Sequence, residues 1–360
     1  MSGTGGTAPG TGATGTLAPD RDAPVSLAPG TTSRPASSGG AGRLLDDGLV
    51  GLADGVASVD EARRADGSRV LSLRLHGGLH LDVLPDCGLD LGAAWWAGVP
   101  VAWRSPHLVD PGPGYGWEER FLGGLLATCG PDNIGAPRGA SGQHGTHHLT
   151  RATDVRWWRE RDGDEVAVHV RGDVGHSTLY GTRLVVSREI VARTGTPAVE
   201  VRDVVRNDGH AAVGVPLLYH VNLGAPLLRP GARLLVGAPP PAVRDALPPG
   251  RSPLVLPDPA PGAEAVVAEH RPRTPVARLT GTGHGVDVEV RWTGDTLPRL
   301  CTWAWPAAGA WVLGVEPTNA PLLGAERDAP HAGAPLLEPG ASWRTGVTIA
   351  VVPAADQEDA

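Results

Sequence analysis

The feature that most constrains the fold is a strict alternation of apolar and polar residues that recurs along most of the chain. Its clearest instance runs from Val286 to Trp292 (VDVEVRW), and similar runs are VLSLRL at 70–75, LHLDV at 79–83, VAVHVR at 166–171 and VEVR at 199–202. Successive side chains of a strand point to opposite faces, so the pattern predicts antiparallel strands with one buried and one wetter face. Turn-forming triplets separate the runs: DGD at 162–164, RTG at 193–195, NDG at 207–209 and EPG at 338–340.

Helical periodicity is nearly missing, since it extends no further than the short stretch from Asp60 to Ala65. No repeat of fixed length stands out, which disfavours a propeller or a solenoid. The 51 Gly and 35 Pro among 360 residues favour many short elements joined by turns. We therefore predict an all-β fold, a large antiparallel sandwich in a single domain.

The two ends of the chain differ in composition from the region between them. Residues 1–42 consist mainly of Gly, Thr, Ala, Pro and Ser, which predicts a disordered low-complexity tail. Residues 43–353 form the predicted β domain, and 354–360 an acidic, solvated end. The Pro- and Gly-rich segment 229–275 fits either a linker between two domains or a long surface excursion within one. Strands of the same character on both sides favour the excursion.

Composition and charge exclude several classes of function. The chain contains no Lys, which excludes Schiff-base chemistry and a P-loop lysine. Its formal net charge of −8, with Arg scattered among acidic residues, argues against binding to nucleic acid. No apolar run is long enough for a membrane helix, and the N-terminus lacks the pattern of a secretory signal. Cys87, Cys129 and Cys301 are odd in number and have no metal-ligand spacing, which predicts a reduced, cytoplasmic protein.

Three segments place polar residues where strands and turns usually carry apolar ones: GQHGTHH at 142–148, LLYHVNLG at 217–224 and WVLGVEPTN at 311–319. Glu316 ends an apolar run, so burial would raise its pKa toward the range of a general base; the alternative is a strand-end glutamate in water. On the second segment, alternation places His220 and Asn222 on one face as a polar floor. The alternative there is a single hydrogen-bonded core histidine.

The first segment contains His144, His147 and His148. These three histidines fit either a metal site or a loop that binds no metal. The segment lacks the acidic partner of a helical H-E-x-x-H frame. Glycine beside His144 instead suggests a backbone brought close to a ligand, with the imidazole aimed into a cleft. Tryptophan either fills a sandwich core or stacks on sugar rings, and we expect one or two of the following in a site: Trp95, Trp96, Trp103, Trp303, Trp305 and Trp311.

Several motifs in order then resemble a known family. They are PDCGLDLG at 85–92, VAWRSP at 101–106, RFLGGLLATCGPDNIG at 120–135, HG at 144–145, YHVN at 219–222 and GVEPTN at 314–319. Together they resemble the aldose 1-epimerase (galactose mutarotase-like) superfamily, and within it the branch termed DUF4432, over about residues 44–351. The resemblance implies a galactose-mutarotase-like β-supersandwich with a sugar cleft.

The resemblance also implies roles for particular residues. Glu316 matches the base that acts on the anomeric hydroxyl, and His220 matches the proton donor to the ring oxygen. His144 matches a further histidine that helps to hold that oxygen. The residues expected to bind sugar hydroxyls, or to lie beside the acid, are Arg120, Asn133 and Asn222. The implied protein is an isomerase that interconverts anomers of an aldose or modified sugar by general acid/base catalysis.

This interpretation implies a small-molecule sugar as substrate and requires no cofactor and no metal, because proton transfer alone opens and closes the ring. Two alternatives stay open on the same fold. One is a sugar-binding protein or sensor without turnover. The other is a different sugar enzyme, a lyase or a metal-assisted isomerase that uses His144, His147 and His148.

Overall fold

A computed structural model describes residues 40–107 and 109–354. Apart from residues 40–42, the predicted tail lies outside the described residues, and so does the acidic end from residue 355 onward. Residues 40–42 lead into α1 (Ala41–Asp46), where Ala41 and Gly42 are buried. The Gly42 amide donates a hydrogen bond of 3.0 Å to the Asp164 carbonyl. Residues 40–42 therefore pack against the described fold.

Strands are the main regular structure of the described chain. The other elements are α1, a second short helix α2 (Trp117–Arg120) and four short 3-10 helices at Ala53–Gly55, His147–Leu149, Ala325–Asp328 and Pro330–Gly333. None of the helices in this part of the chain is long and apolar enough to cross a membrane. The strands are β1 (Ala57–Arg63), β2 (Arg69–Leu75), β3 (His80–Leu84), β4 (Asp90–Trp96), β5 (Val99–Pro100), β6 (Leu126–Cys129), β7 (Thr153–Asp162), β8 (Glu165–Ser177), β9 (Arg183–Arg193), β10 (Thr196–Asn207), β11 (Val213–Gly214), β12 (Leu218–Gly224), β13 (Arg233–Val236), β14 (Ala242–Val243), β15 (Val266–His270), β16 (Val276–Thr280), β17 (Val286–Trp292), β18 (Arg299–Trp305), β19 (Val312–Thr318), β20 (Leu336–Leu337) and β21 (Ser342–Pro353).

Two large sheets and one small one hold these strands within the described ranges. The larger sheet has the order β1-β2-β3-β4-β6-β12-β19-β18-β15-β14, with β5 added beside β4. The second has the order β13-β16-β17-β21-β10-β9-β8-β7, and β11 pairs with β20. Residues from both large sheets form one buried apolar cluster, which includes Leu73 and Leu313 from the first and Val168 and Val288 from the second. The prediction of an all-β antiparallel sandwich in a single domain is confirmed.

Two segments with ambiguous sequence patterns have a clear place in the structure. The stretch with helical spacing belongs to β1, an edge strand that pairs antiparallel with β2. Its last residues are exposed on both faces, so they carry no alternation and their spacing imitates a helix. The segment 229–275 is an excursion inside the domain, because β13 joins the second sheet while β14 and β15 extend the first.

A buried ionic network joins the two large sheets behind β12. The Arg188 guanidinium on β9 donates to Asp90 on β4 at 2.8 Å, and to Asp203 on β10 at 2.8 and 2.7 Å. It also donates to the Thr128 hydroxyl at 2.9 Å, and the Tyr219 hydroxyl donates to Asp203 at 2.6 Å. Buried charges are tolerated when they are paired and hydrogen-bonded in this way. Tyr219 thus anchors β12 from the core side of the sheet.

Candidate active site

His220 and Glu316 lie side by side on the neighbouring strands β12 and β19. Val221 on β12 pairs with Val315 on β19. The adjoining residues His220 and Glu316 therefore also lie opposite each other, on the other face of the sheet. Their Nε2 and Oε1 atoms are 3.2 Å apart, and both side chains are almost fully buried, at 4% and 2% exposed. Tyr219, Val221 and Leu223 face the core. The predicted alternation along this strand is therefore confirmed.

Gly314 provides the space in which the two groups approach each other. It lies two residues before Glu316 on β19, opposite Asn222 on β12. A Cβ at this position would lie 2.3 Å from Glu316 Oε1 and 3.1 Å from His220 Cε1. The absence of a side chain here lets the carboxyl group turn toward the imidazole. The sequence pattern does not reveal this role, because it depends on a neighbouring strand.

His144 reaches the same place from the loop that follows β6. Its backbone is left-handed, with φ of 61°, a region in which His is one of the more tolerated residues. Its N–H donates to the Gly135 carbonyl at 2.8 Å, and its carbonyl accepts from Gly130 at 3.0 Å. The His144 and His220 ring centroids are 5.6 Å apart. The structure therefore brings His144, His220 and Glu316 together.

The glycine after His144 serves the loop itself. A Cβ on Gly145, whose φ is 70°, would lie 2.5 Å from the Asn133 carbonyl oxygen. The close backbone approach predicted here is thus to a neighbouring turn of the chain, while the His144 ring does face the cavity. Gly135 N–H donates to His144 Nδ1 at 3.3 Å, so the neutral ring carries its proton on Nε2 as a donor.

A cavity of about 600 Å³ opens over these three residues. Aromatic side chains form much of its wall: Trp103, Trp117, Phe121, Trp303 and Trp305. Trp117 stacks on Phe121 at a centroid distance of 4.3 Å and lies 4.4 Å from the His144 ring. Among the tryptophans considered from the sequence, three line the cavity. Trp311 is a core residue and Trp95 is exposed elsewhere. Trp117 was not foreseen, because its glycine-rich surroundings show no periodicity.

Burial sets the protonation of these three side chains. It raises the pKa of Glu316 to about 8 and lowers the pKa of His220 to about 4. Burial, together with the nearby His220 and His148, holds the pKa of His144 well below its usual range. At neutral pH the imidazoles of His144 and His220 are uncharged. The one titratable proton of the Glu316–His220 pair lies on the Glu316 carboxyl group. Glu316 Oε1 lies 3.2 Å from His220 Nε2 without hydrogen-bond geometry. Neither Oε1 nor His220 Nδ1 has a hydrogen-bond partner among the described residues, as expected of groups that meet a ligand.

The three predicted hydroxyl-binding residues lie near the cavity and do not line it. Arg120 makes a two-fold ion pair with Asp110, at 2.9 and 2.8 Å. The Asn133 amide nitrogen donates to the carbonyls of Ala136 and Gly142, which holds the His144 loop. The Asn222 amide nitrogen donates to the carbonyls of Gly124 and His220. Direct sugar contact by these residues stays a prediction.

The histidines 144, 147 and 148 do not converge on one point. His147 turns to the opposite side, where its Nδ1 lies 3.2 Å from His176 Nε2 and its Nε2 lies 3.1 Å from the Gly88 carbonyl. His148 packs edge-on against Trp117, at 4.5 Å between centroids. Across residues 40–107 and 109–354, no group of three or more His, Cys, Asp or Glu side chains is arranged to hold a metal ion.

Solved structures share this fold at low sequence identity. A protein from Klebsiella pneumoniae named as a putative aldose 1-epimerase superimposes with a TM-score of 0.71 at 21% identity, covering 80% of each chain. A galactose mutarotase-like protein from Clostridium acetobutylicum gives 0.58 at 15% identity, covering 83% of this chain and 99% of its own. A galactose mutarotase related enzyme from Lactobacillus acidophilus gives 0.53 at 14% identity, covering 78% and 97%. Identities this low show a common fold alone.

Comparison at the level of sequence gives a narrower result. No protein of curated function matches the chain. The profile of DUF4432, described as a domain of unknown function, matches residues 65–351. This span covers most of the chain and contains all three residues of the cavity that are implicated in catalysis. The chain therefore belongs to the DUF4432 family, with a galactose mutarotase-like fold.

Proposed function

We propose that this protein is a carbohydrate-binding isomerase that interconverts the anomers of an aldose or modified sugar by general acid/base catalysis. The observation that carries the proposal is the buried Glu316–His220 pair, with 3.2 Å between Oε1 and Nε2, at the base of an aromatic-walled cavity. The fold shared with proteins named as aldose 1-epimerases and mutarotases supports it. We propose a neutral or modified sugar as the ligand and the cytoplasm as the location.

The chemistry needs one proton removed and one delivered at neighbouring oxygens. Removal of the anomeric hydroxyl proton lets the electron pair of that O–H bond form the aldehyde carbonyl, while the bond from C1 to the ring oxygen breaks. The ring oxygen takes up a proton as it leaves. Rotation about C1–C2 followed by the reverse steps gives the other anomer. No net proton is gained or lost, so the same pair of groups is ready for the next turnover.

Glu316 and His220 supply this exchange because together they hold one titratable proton, which either group can carry. When Glu316 is the carboxylate, it removes the anomeric proton, and His220, then protonated, delivers its proton to the ring oxygen. In the free protein, burial favours a neutral carboxyl group on Glu316 and a neutral imidazole on His220. The carboxylate and the protonated imidazole form when a polar sugar occupies the cavity. His144 donates from Nε2 to the ring oxygen and holds it between the two groups.

Saturation-transfer NMR tests this activity directly, because it measures exchange between α and β anomers at equilibrium. A panel of aldoses is expected to contain at least one whose exchange the protein accelerates. Glu316→Gln and His220→Gln should each lower the rate by about 10²–10⁴-fold. His210→Ala, which changes an exposed histidine in a surface turn, is the matched control and should leave the rate unchanged.

The same samples separate catalysis from simple binding. A sugar that raises the melting temperature of the native protein and of Glu316→Gln equally, with no acceleration of exchange in either, would indicate a binding protein or sensor and contradict the proposal. Undiminished exchange in Glu316→Gln would show that the carboxyl group is not the base.

A further inference from the structure

The cavity continues well beyond the Glu316–His220 pair. The part of its lining that belongs to the larger sheet comes from successive strands, in the order β12, β19, β18, β15 and then the residue after β14. Neighbouring strands are spaced by about 4.8 Å, so four spacings correspond to about 19 Å from the strand of His220 to that of Arg244. A single pyranose ring at Glu316 would occupy only the inner end of such a cleft.

The outer end of the cleft has its own floor. Val267 lies directly opposite Trp303 across β15 and β18. Arg244 donates its backbone N–H to the Val267 carbonyl at 2.9 Å, which places it next in the same row. Trp305 follows Trp303 on the same face of β18, with 6.1 Å between the ring centroids and 26° between the planes. These two indoles are nearly parallel and lie one after the other along β18, and the Trp303 ring is 5.5 Å from that of His220.

Hydrogen bonds hold the polar groups at this end of the cavity. The Trp305 indole N–H donates to the Ala263 carbonyl at 3.0 Å, which sets the orientation of the ring. The Arg244 Nε donates to Asp245 Oδ2 at 2.6 Å, so an acidic partner balances its charge. A strongly anionic substituent would find no unbalanced cation here. A sugar ring, with its C–H face on an indole and its hydroxyls near a guanidinium, suits these groups.

We propose that the outer end is a second sugar subsite and that the preferred substrate is a reducing disaccharide or longer glycan. The reducing-end ring would lie at Glu316 and His220, and the second ring on Trp305, beside Val267 and Arg244. The anomeric centre that reacts must be free, so the second ring is attached on the far side of the first, as the direction of the cleft requires. This inference rests on the proposed function and names its substrate class.

The test compares each monosaccharide with the disaccharide that has it at the reducing end. Anomer exchange is measured by saturation-transfer NMR for glucose, maltose and cellobiose, and for galactose and β-1,4-galactobiose. Glucose 6-phosphate is included as a monosaccharide with an anionic substituent. We expect kcat/KM to be at least about tenfold higher for a disaccharide than for its own reducing-end sugar, the gain of one additional stacked ring.

Variants locate the effect. Arg244→Ala should remove most of the disaccharide advantage and leave monosaccharide exchange within about twofold. Trp305→Leu should also remove most of that advantage, judged as the ratio of disaccharide to monosaccharide kcat/KM in the same variant. Trp95→Ala, which removes an exposed tryptophan of the same sheet outside the cavity, is the matched control and should retain the advantage. Arg244 is half-exposed, so its variant decides the result should Trp305→Leu fail to fold.

The outcomes distinguish failure of the subsite from failure of the proposed function. Monosaccharide exchange as fast as, or faster than, that of the disaccharides would overturn the subsite while leaving the isomerase intact. Preference for glucose 6-phosphate, or a disaccharide preference that both variants retain, would also overturn it. Acceleration of none of these sugars or of the wider aldose panel would overturn the proposed function and the subsite with it.

Discussion

Replacing Glu316 by Gln is expected to stabilise the protein against unfolding at alkaline pH, although it removes the group proposed as the catalytic base. The carboxyl group has a pKa of about 8 when folded and 4.5 as its ordinary value. Between these values the folded protein keeps a proton that the unfolded chain releases. The free energy of unfolding therefore falls by about 1.4 kcal/mol for each pH unit through this range.

From pH 5 to pH 8 this loss amounts to about 4 kcal/mol. Glutamine has nearly the same shape and does not titrate, so Glu316→Gln should not suffer the loss. The His220 contribution is present in both proteins and cancels in the comparison. Relative to the difference at pH 5, the variant should gain about 4 kcal/mol at pH 8. At about 2 °C per kcal/mol for a large domain, this corresponds to a relative rise of about 8 °C in Tm.

Urea unfolding followed by tryptophan fluorescence at pH 5, 6, 7 and 8 measures the difference, with thermal scans as a second readout. Glu118→Gln is the control, because Glu118 also borders the cavity but is exposed. A wild-type minus Glu316→Gln difference that stays constant from pH 5 to pH 8 would refute the assignment of a buried, protonated carboxyl group.

Three further predictions follow from the structure. The pH profile of kcat/KM should be bell-shaped, with limbs near pH 4 and pH 8 where the Glu316–His220 pair gains a second proton or loses its only one; a flat alkaline limb to pH 10 would contradict this. Gly314→Ala should displace the Glu316 carboxyl group and lower kcat/KM by about 10²-fold, measured by anomer exchange, whereas Gly175→Ala, where a Cβ meets open space, should leave it unchanged. Arg188→Met should lower the free energy of unfolding by about 3–5 kcal/mol in urea titrations by leaving Asp90 and Asp203 unpaired, while Arg74→Ala, at an exposed ion pair with Asp60, should change it little.

The parts of the site that follow from short-range sequence patterns were predictable. Strand alternation around Tyr219 and His220 is a local rule, so it correctly separates the core side chain from the one facing the cavity. The apolar run that ends in Glu316 correctly indicates burial, because no solvated strand end is so uniformly apolar. Family motifs then assigned roles that spacing alone does not contain, and the structure brings the three implicated residues together.

The parts that depend on distant segments were not predictable. Gly314 matters because β12 lies beside it, and Trp117 reaches the cavity from the short helix α2, in a stretch without periodicity. The positions of Arg120 and Asn133 depend on partners elsewhere, the Asp110 carboxylate and the loop carbonyls of Ala136 and Gly142. A polar residue in a family motif does not reveal whether it faces a ligand or its own chain.

The ionic network behind β12 bears on how such a protein can change its substrate over evolution. Arg188, Asp203 and Tyr219 secure the strand of His220 from within the sandwich, on the face away from the cavity. The cavity walls come from separate elements, such as α2 with Trp117 and the strand of Trp305. Mutations in those walls can therefore change the shape of the cavity while Glu316 and His220 keep their places. The ligand specificity of the cavity can therefore change over evolution without a change in the two residues proposed to transfer protons.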